Sequence, residues 1–178
     1  MKKLLDSKGM QEALTQLART IAEECPDRSK LRIVGIQRHG YYLAQHIANT
    51  LNLNKQLGSL TINLYRDNLS EIGPQAKVMK IDLPFEINHA HIVLVDDVFF
   101  TGRTIQKALD ALYERGVPET IRLAVLVTRD GFKKVPIEPE YVGLKLDSTA
   151  GDEVVKVKTH DIDGVDEVLL VKKSEITM

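Results

Sequence analysis

The sequence contains a single cysteine, Cys25, so no disulfide bond can form within the chain. It also lacks an excess of either charge, because 24 basic and 25 acidic side chains leave a formal net charge of -1. This balance argues against a protein that coats nucleic acid without regard to sequence, although a local basic face is compatible with it.

The sequence likewise has no apolar run close to the roughly 18 residues that a transmembrane helix requires. It begins with MKKLL, which is basic but leads into a polar stretch with helical periodicity, so we expect no secretion signal. We therefore expect a soluble protein of the cytoplasm that does not act at a membrane. A chain of 178 residues suits a single domain with one sizeable core.

Two hydrophobic periods alternate along the chain. Residues 9–25, 41–51 and 105–116 place apolar side chains at helical spacing. Short runs typical of strands lie outside them, namely LRIVGI, TINLYR, HIVLV, IRLAVLV, YVGLKL and DEVLLV. Strands that alternate with helices predict an α/β domain with a mostly parallel central sheet flanked by helices. Residues 67–80 are polar and without clear period, which predicts an irregular loop.

The segment HIVLVDDVFFTGRT, residues 91–104, carries most of the functional information. Its apolar start lacks alternation, which predicts a strand covered on both faces. Ligands of such sheets bind beyond the carboxyl ends of the strands, and Asp96 and Asp97 are expected there. The following loop opens a helix, whose free N–H groups and dipole favour an anion. Gly102 allows a close turn, and the hydroxyls of Thr101 and Thr104 can donate hydrogen bonds to phosphate.

The two adjacent carboxylates require a separate explanation, because they would repel a bare phosphate. They can accept hydrogen bonds from sugar hydroxyls or engage a divalent metal, so acids and loop together describe a 5-phosphorylated ribose. The alternative is purely structural: Asp96 and Asp97 end a strand, Gly102 forms a turn and Thr101 caps a helix. The sequence has neither G-x-x-x-x-G-K-[ST] nor G-x-G-x-x-G, so the two common nucleotide-binding motifs are absent.

The stretch VLVDDVFFTGRT resembles the phosphoribosyl pyrophosphate (PRPP) signature of type I phosphoribosyltransferases. From about residue 31 onward, VGIQRHGYYLAQHIA, LYRDNLS, LPFEI and DALYERGVPETIRLAVLV resemble the family of pyrimidine operon regulators and uracil phosphoribosyltransferases of the PyrR type. The resemblance implies a type I phosphoribosyltransferase fold, with a mostly parallel central sheet and a small hood subdomain. We expect a single domain over residues 1–178, with the hood formed by roughly residues 128–178.

The activity implied by this resemblance is the reaction of uracil with PRPP to give uridine 5-monophosphate (UMP) and pyrophosphate, with Mg²⁺ as cofactor. The family also implies UMP-responsive binding of pyrimidine-leader RNA and a homo-oligomer such as a dimer. Two alternatives stay open. The chain could be a non-catalytic or weakly catalytic nucleotide-sensing regulator, or a phosphoribosyltransferase for another nucleobase, such as hypoxanthine, guanine or orotate.

The resemblance also implies roles for individual residues. Asp96 and Asp97 would contact the ribose hydroxyls, directly or through water and Mg²⁺. Arg66, in a mobile loop that closes over the site, would neutralise charge on the departing pyrophosphate. The 5-phosphate would be bound by Val98, Phe99, Phe100, Thr101, Gly102, Arg103 and Thr104. The pyrophosphate loop would consist of Gln37, Arg38, His39 and Gly40.

Two segments depart from the family pattern. The pyrophosphate loop commonly reads K-T-R-G in the family, whereas here it reads QRHG and lacks the lysine. The segment after residue 127 is also altered and carries Glu138 where the family has a positive charge, which disfavours contact with RNA phosphate. This segment includes the expected base-pocket residues Thr128 and Arg129. The residues expected on an RNA-binding surface are Thr15, Arg19, Lys133 and Lys134, although the two lysines could equally form a solvated face.

Overall fold

The computed structural model describes residues 1–65, 75–147 and 151–176. Its strands are β1 (Lys2–Leu5), β2 (Leu31–Gln37), β3 (Leu57–Tyr65), β4 (Gln75–Asp82), β5 (His91–Phe99), β6 (Thr120–Arg129), β7 (Tyr141–Leu146), β8 (Glu153–Lys158) and β9 (Glu167–Lys172). Its α-helices are α1 (Ser7–Glu24), α2 (His39–Thr50), α3 (Arg103–Arg115), α4 (His160–Asp163) and α5 (Lys173–Ile176). The three long helices and six of these strands overlap the elements predicted from the sequence.

A six-stranded sheet in the order β4-β3-β2-β5-β6-β7 forms the centre of the molecule. All its pairs are parallel except β3 with β4, so the predicted mostly parallel α/β fold is confirmed. Because β5 lies between β2 and β6, the loops that follow these three strands emerge at one edge of the sheet. That edge is where ligands of open α/β sheets bind.

Strand β5 is buried on both faces, which accounts for the lack of alternation in HIVLV. Val93 and Val95 belong to the hydrophobic cluster that includes residues of α1 and α2. Ile92 and Leu94 point to the opposite side and join the cluster that includes residues of α3. The two-sided burial holds the end of β5, and the acids on it, in a fixed position.

Helix α1 forms for local reasons that the sequence already displays. Asp6 precedes it and accepts a hydrogen bond from the Gly9 N–H at 2.8 Å, which satisfies one of the free donors at the helix start. Its buried side chains recur at helical spacing and are Met10, Leu14, Leu17, Ala18 and Ile21. Among the described residues, no helix combines the length and hydrophobicity that crossing a membrane would require.

A second, antiparallel sheet has the order β1-β9-β8 and therefore joins both ends of the chain. It differs from the hood expected over residues 128–178, because β7 and the end of β6 belong to the central sheet and β1 comes from the N-terminus. Its apolar residues Val155, Val157 and Val168 join the cluster beneath α1 and α2. The short run KKLL gave no strand signal, since its place is set by pairing with distant β9.

The expectation of an irregular loop over residues 67–80 is wrong for its second part. Gln75–Asp82 form β4, which pairs with β3 from Ser59↔Asp82 to Tyr65↔Gln75. This strand lies at the sheet edge, where Val78 and Ile81 pack against the core and most of the described positions are exposed, so its apolar pattern is weak. Residues 66–74, including Arg66, lie outside the described residues, and the closing loop there stays a prediction.

Candidate active site

The two acids lie within β5, which continues to Phe99 and does not end before them. Asp96 is buried, with 9% of its surface exposed, and Asp97 is half-buried. The Asp97 N–H donates to Asp96 Oδ1 at 2.8 Å, and the Val98 N–H donates to Asp97 Oδ1 at 2.8 Å. Each carboxylate is therefore held by a backbone donor next to it along the strand.

Burial raises the pKa of Asp96 well above its ordinary value, and the neighbouring charge of Asp97 raises it further. The site is thus poised for a ligand that offers hydroxyl donors or a cation, because either would stabilise the charged carboxylate. Sugar hydroxyls and divalent metal ions both meet this requirement.

The chemistry of the acid pair fits Mg²⁺ held partly by a ligand. Within the described residues, no group of three or more His, Cys, Asp or Glu side chains could enclose a metal ion. Mg²⁺ commonly binds through one or two carboxylates together with substrate phosphates, and it keeps several waters. Asp96 and Asp97 would supply that number of protein ligands.

The predicted phosphate loop, residues 98–104, follows directly, and its Gly102 precedes the start of α3. Gly102 has φ of +87°, and a Cβ there would lie 2.2 Å from Val135 Cγ2. The Lys134 N–H donates to Thr101 O at 2.8 Å. The outer side of the loop is therefore closed by residues 134–135, and the sequence predicted no contact between them and this loop. The inner side leaves the start of α3 for an anion.

A cavity of about 290 Å³ joins the acids to this loop. Arg103 is absent from the described residues that line it, although it belongs to the predicted set. The lining residues are Ile36, Gln37, Ile62, Asp96, Asp97, Val98, Phe99, Phe100, Thr101, Gly102, Thr104 and Ile105. The structure thus brings together most of the predicted ribose and phosphate residues around one space.

The predicted pyrophosphate loop lies beside the acids. Gln37 ends β2, the neighbour of β5, and the peptide bond between Gln37 and Arg38 is cis. A Cβ at Gly40 would lie 2.8 Å from Val95 O and 3.1 Å from Asp96 Cα. Only glycine allows the start of α2 to approach β5 this closely. The loop and the acid pair therefore share one edge of the sheet.

His39 makes a contact that the sequence gave no means of predicting. Its Nε2 lies 3.0 Å from Asp163 Oδ2, on α4 of the opposite end of the chain. Burial raises the pKa of Asp163, but hydrogen bonds from His39 and the Thr159 N–H outweigh it, so the pKa lies below its ordinary value. Because an ionised carboxylate only accepts hydrogen bonds, the His39 Nε2 carries the proton.

The predicted base-pocket residues, Thr128 and Arg129, are buried at the end of β6, with 7% and 5% of their surfaces exposed. Thr128 pairs in register with Phe99 of the phosphate loop. The Arg129 guanidinium lies 4.8 Å from the ring centroid of Phe100 and 4.9 Å from that of Phe132. Burial lowers the pKa of Arg129, and Glu153 partly offsets this. Arg129 therefore braces the phosphate loop through aromatic faces.

Of the residues predicted to contact RNA, two cations are exposed and a third is paired with an acid. Arg19 is exposed and Thr15 is half-buried on α1, and Lys134 is exposed. Lys133 pairs with Glu138, so its charge is locally compensated. Glu138 therefore compensates the charge of one of the two lysines that we expected on the RNA-binding surface.

Comparison with known proteins connects this geometry to one family. The family described as "Phosphoribosyl transferase domain" matches residues 1–160. The chain is similar to the bifunctional protein PyrR of Endomicrobium trichonymphae, with 39% identity over 177 residues that cover 95% of this chain and 98% of that protein. It is similar to the bifunctional protein PyrR of Ligilactobacillus salivarius, with 43% identity over 177 residues that cover 96% and 98%.

The fold is similar to that of solved hypoxanthine phosphoribosyltransferases. A hypoxanthine phosphoribosyltransferase from Staphylococcus aureus superposes with a TM-score of 0.78, covering 98% of this chain and 92% of that one. The sequences are 18% identical, so this similarity concerns the fold alone. It confirms the type I phosphoribosyltransferase architecture inferred from the PRPP-like signature.

The burial of Asp96 generates a prediction about stability. Because its pKa is raised in the folded state, the folded protein binds the proton more tightly, and stability falls as pH rises above the ordinary carboxyl value. Asp96→Asn keeps the Oδ1 acceptor but removes the charge. At neutral pH its melting temperature should exceed that of the wild type by at least about 2 °C. The gain should shrink towards pH of about 4. Asp110→Asn, on the exposed side of α3, is the control; equal gains in both variants would contradict the prediction.

The packing at Gly102 generates a second prediction. Gly102→Ala should weaken the binding of ribose 5-phosphate by at least about tenfold, because the new methyl group displaces Val135 and distorts the loop. Gly131→Ala is the matched control, since Gly131 has φ of +92° but no atom within 4 Å of the position that a methyl group would take. Isothermal titration calorimetry measures the affinity of each variant for ribose 5-phosphate. Equal weakening would assign the effect to backbone strain instead of loop closure.

Proposed function

Because the chain belongs to the phosphoribosyl transferase domain family, and is related over nearly its whole length to bifunctional PyrR proteins, we propose that it converts uracil and PRPP to UMP and pyrophosphate. One observation carries the proposal: the acids of β5 and the phosphate loop line a single cavity. A ligand with a 5-phosphate at one end and a diol at the other matches both parts. Substrate, metal and site roles are all part of this proposal.

In the proposed reaction the bond between the anomeric carbon and pyrophosphate breaks, a ring nitrogen of uracil bonds to that carbon, and the proton of this nitrogen passes to the departing pyrophosphate or to solvent. The carbon becomes oxocarbenium-like, so the protein's task is positioning and electrostatics without a nucleophile of its own. The N–H groups at the start of α3, with Thr101 and Thr104, hold the 5-phosphate. Asp96 and Asp97 accept hydrogen bonds from the ribose hydroxyls. Mg²⁺, when bound with PRPP, supplies positive charge that stabilises the departing pyrophosphate.

The remaining roles in the reaction concern the leaving pyrophosphate and the base. Arg66 is proposed to meet the pyrophosphate when the segment that begins there closes over the site and excludes water. Thr128 and Arg129 lie at the end of β6, next to the phosphate loop, and are proposed to border the base. We further propose that the protein works in the cytoplasm as a homo-oligomer such as a dimer.

The enzymatic proposal predicts a defined kinetic response at Asp97. Asp97→Asn should lower the turnover of uracil with PRPP and Mg²⁺ by on the order of 10²–10³-fold, because it removes a charge that stabilises the transition state. Asp110→Asn is the control on an exposed surface. Product formation is followed with uracil, orotate, hypoxanthine and guanine in parallel. Product from a purine and none from uracil would overturn the substrate, and an unchanged rate would remove Asp97 from the catalytic residues.

A second function is favoured by the word "bifunctional" in the names of the relatives. We propose that UMP in the same cavity promotes binding of pyrimidine-leader RNA, through a surface that includes Arg19 and Lys134. The Lys133–Glu138 pair would moderate this affinity, because it compensates one cation of the surface. The alternative of a regulator with little or no catalysis uses the same nucleotide site and differs only in turnover.

The ion pair makes the RNA proposal testable. Glu138→Gln frees the charge of Lys133 and should tighten RNA binding by about tenfold at low salt, with a smaller effect at high salt. Glu114→Gln removes an exposed acid from α3 and is the control. Filter-binding titrations with and without UMP measure both variants. Binding that is weak, independent of UMP and equal in the two variants would leave only the enzyme.

A further inference from the structure

The pyrophosphate loop contains one side chain that is already engaged elsewhere. His39 Nε2 lies 3.0 Å from Asp163 Oδ2, and the two residues are 124 positions apart in the sequence. Both side chains are about three-quarters buried, with 27% and 26% of their surfaces exposed. The contact connects the loop after β2 to the segment between β8 and β9 of the second sheet.

The acceptor side of this contact is held firmly. Asp163 Oδ2 also accepts from the Thr159 N–H at 2.9 Å, and the Asp163 N–H donates to Thr159 O at 2.7 Å. The His160 N–H donates to Asp166 Oδ1 at 2.7 Å, which fixes the start of α4 independently. Asp163 is therefore a rigid anchor, and its bond to His39 restrains the loop.

The other side of the loop is held by the central sheet. Gly40 places the start of α2 directly against Val95 and Asp96 of β5, through the close approach described above. Arg38, between this contact and the end of β2, is exposed and permanently charged. The loop is thus attached through Gly40 to β5 and through His39 to Asp163. Because these contacts hold the loop, Arg38 is proposed to supply its charge to a ligand.

We propose that His39 is a positioning residue, which with Asp163 ties the pyrophosphate loop to the second sheet and sets the loop's geometry for the pyrophosphate group of PRPP. The inference rests on the proposed function and deepens it. His39 itself does not contact the ligand. Its contact with Asp163 affects only the binding of the pyrophosphate group of PRPP. A ligand that carries only the 5-phosphate is held by the phosphate loop of residues 98–104. Its affinity is therefore independent of the contact between His39 and Asp163.

The test compares PRPP and UMP, each with Mg²⁺, by calorimetry on the full chain. His39→Asn and Asp163→Ala should each weaken PRPP binding by about tenfold and change UMP binding by less than about twofold. The double variant should be no weaker than either single variant, because both remove the same contact. His39→Gln, whose amide nitrogen can reach the position of Nε2, should bind PRPP as the wild type does. Asp166→Ala removes the hydrogen bond to the His160 N–H but leaves the His39–Asp163 contact and both hydrogen bonds between Asp163 and Thr159 in place, so it should also bind PRPP as the wild type does.

Three results would overturn the inference while the wild type binds both ligands. Weakened PRPP binding in His39→Asn alone would make His39 a direct ligand contact. Equal weakening of PRPP and UMP would assign the pair a general structural role, and additive losses in the double variant would separate the two residues. A wild type that binds neither ligand would instead overturn the proposed function, and the inference with it.

Discussion

Burial of a carboxylate at the end of a two-sided hydrophobic strand sets the conditions for the rest of this site. Asp96 is the last residue of the continuous buried run of β5, where desolvation and the charge of Asp97 both disfavour ionisation. The backbone donor from Asp97 compensates only part of this cost. A ligand that presents hydroxyls or a metal ion can offset the rest of the desolvation cost of ionised Asp96. The buried carboxylate therefore favours binding of such a ligand.

The packing around β5 explains why this desolvation cost is tolerated. Val93 and Val95 on one face, and Ile92 and Leu94 on the other, anchor the strand in both hydrophobic clusters. Neighbouring β2 and β6 run parallel to β5, so the pyrophosphate loop and the expected base-pocket residues emerge beside the acids. The positions of the acids, the predicted pyrophosphate loop and the expected base-pocket residues thus follow from the order of β2, β5 and β6.

Support for the phosphate loop comes from outside its own sequence. Val135 and the Lys134 N–H close its outer side. The Arg129 guanidinium lies over the rings of Phe100 and Phe132, which also contact each other. Because these contacts come from the end of β6 and the segment after it, changes there affect the predicted phosphate loop as well as the expected base-pocket residues. The departures from the family pattern after residue 127 therefore bear on the predicted loop and the expected base pocket together.

The sequence alone determined the parallel sheet, the long helices and the contiguous acid and phosphate segment, because these depend on hydrophobic period and on residues adjacent in the chain. It could not place β1 in the second sheet or identify β4, since edge strands need little apolar periodicity and are fixed by pairing with distant segments. The tie between His39 and Asp163 was equally invisible. Only tertiary structure decided it, because a contact between two polar side chains 124 positions apart leaves no local pattern in the sequence.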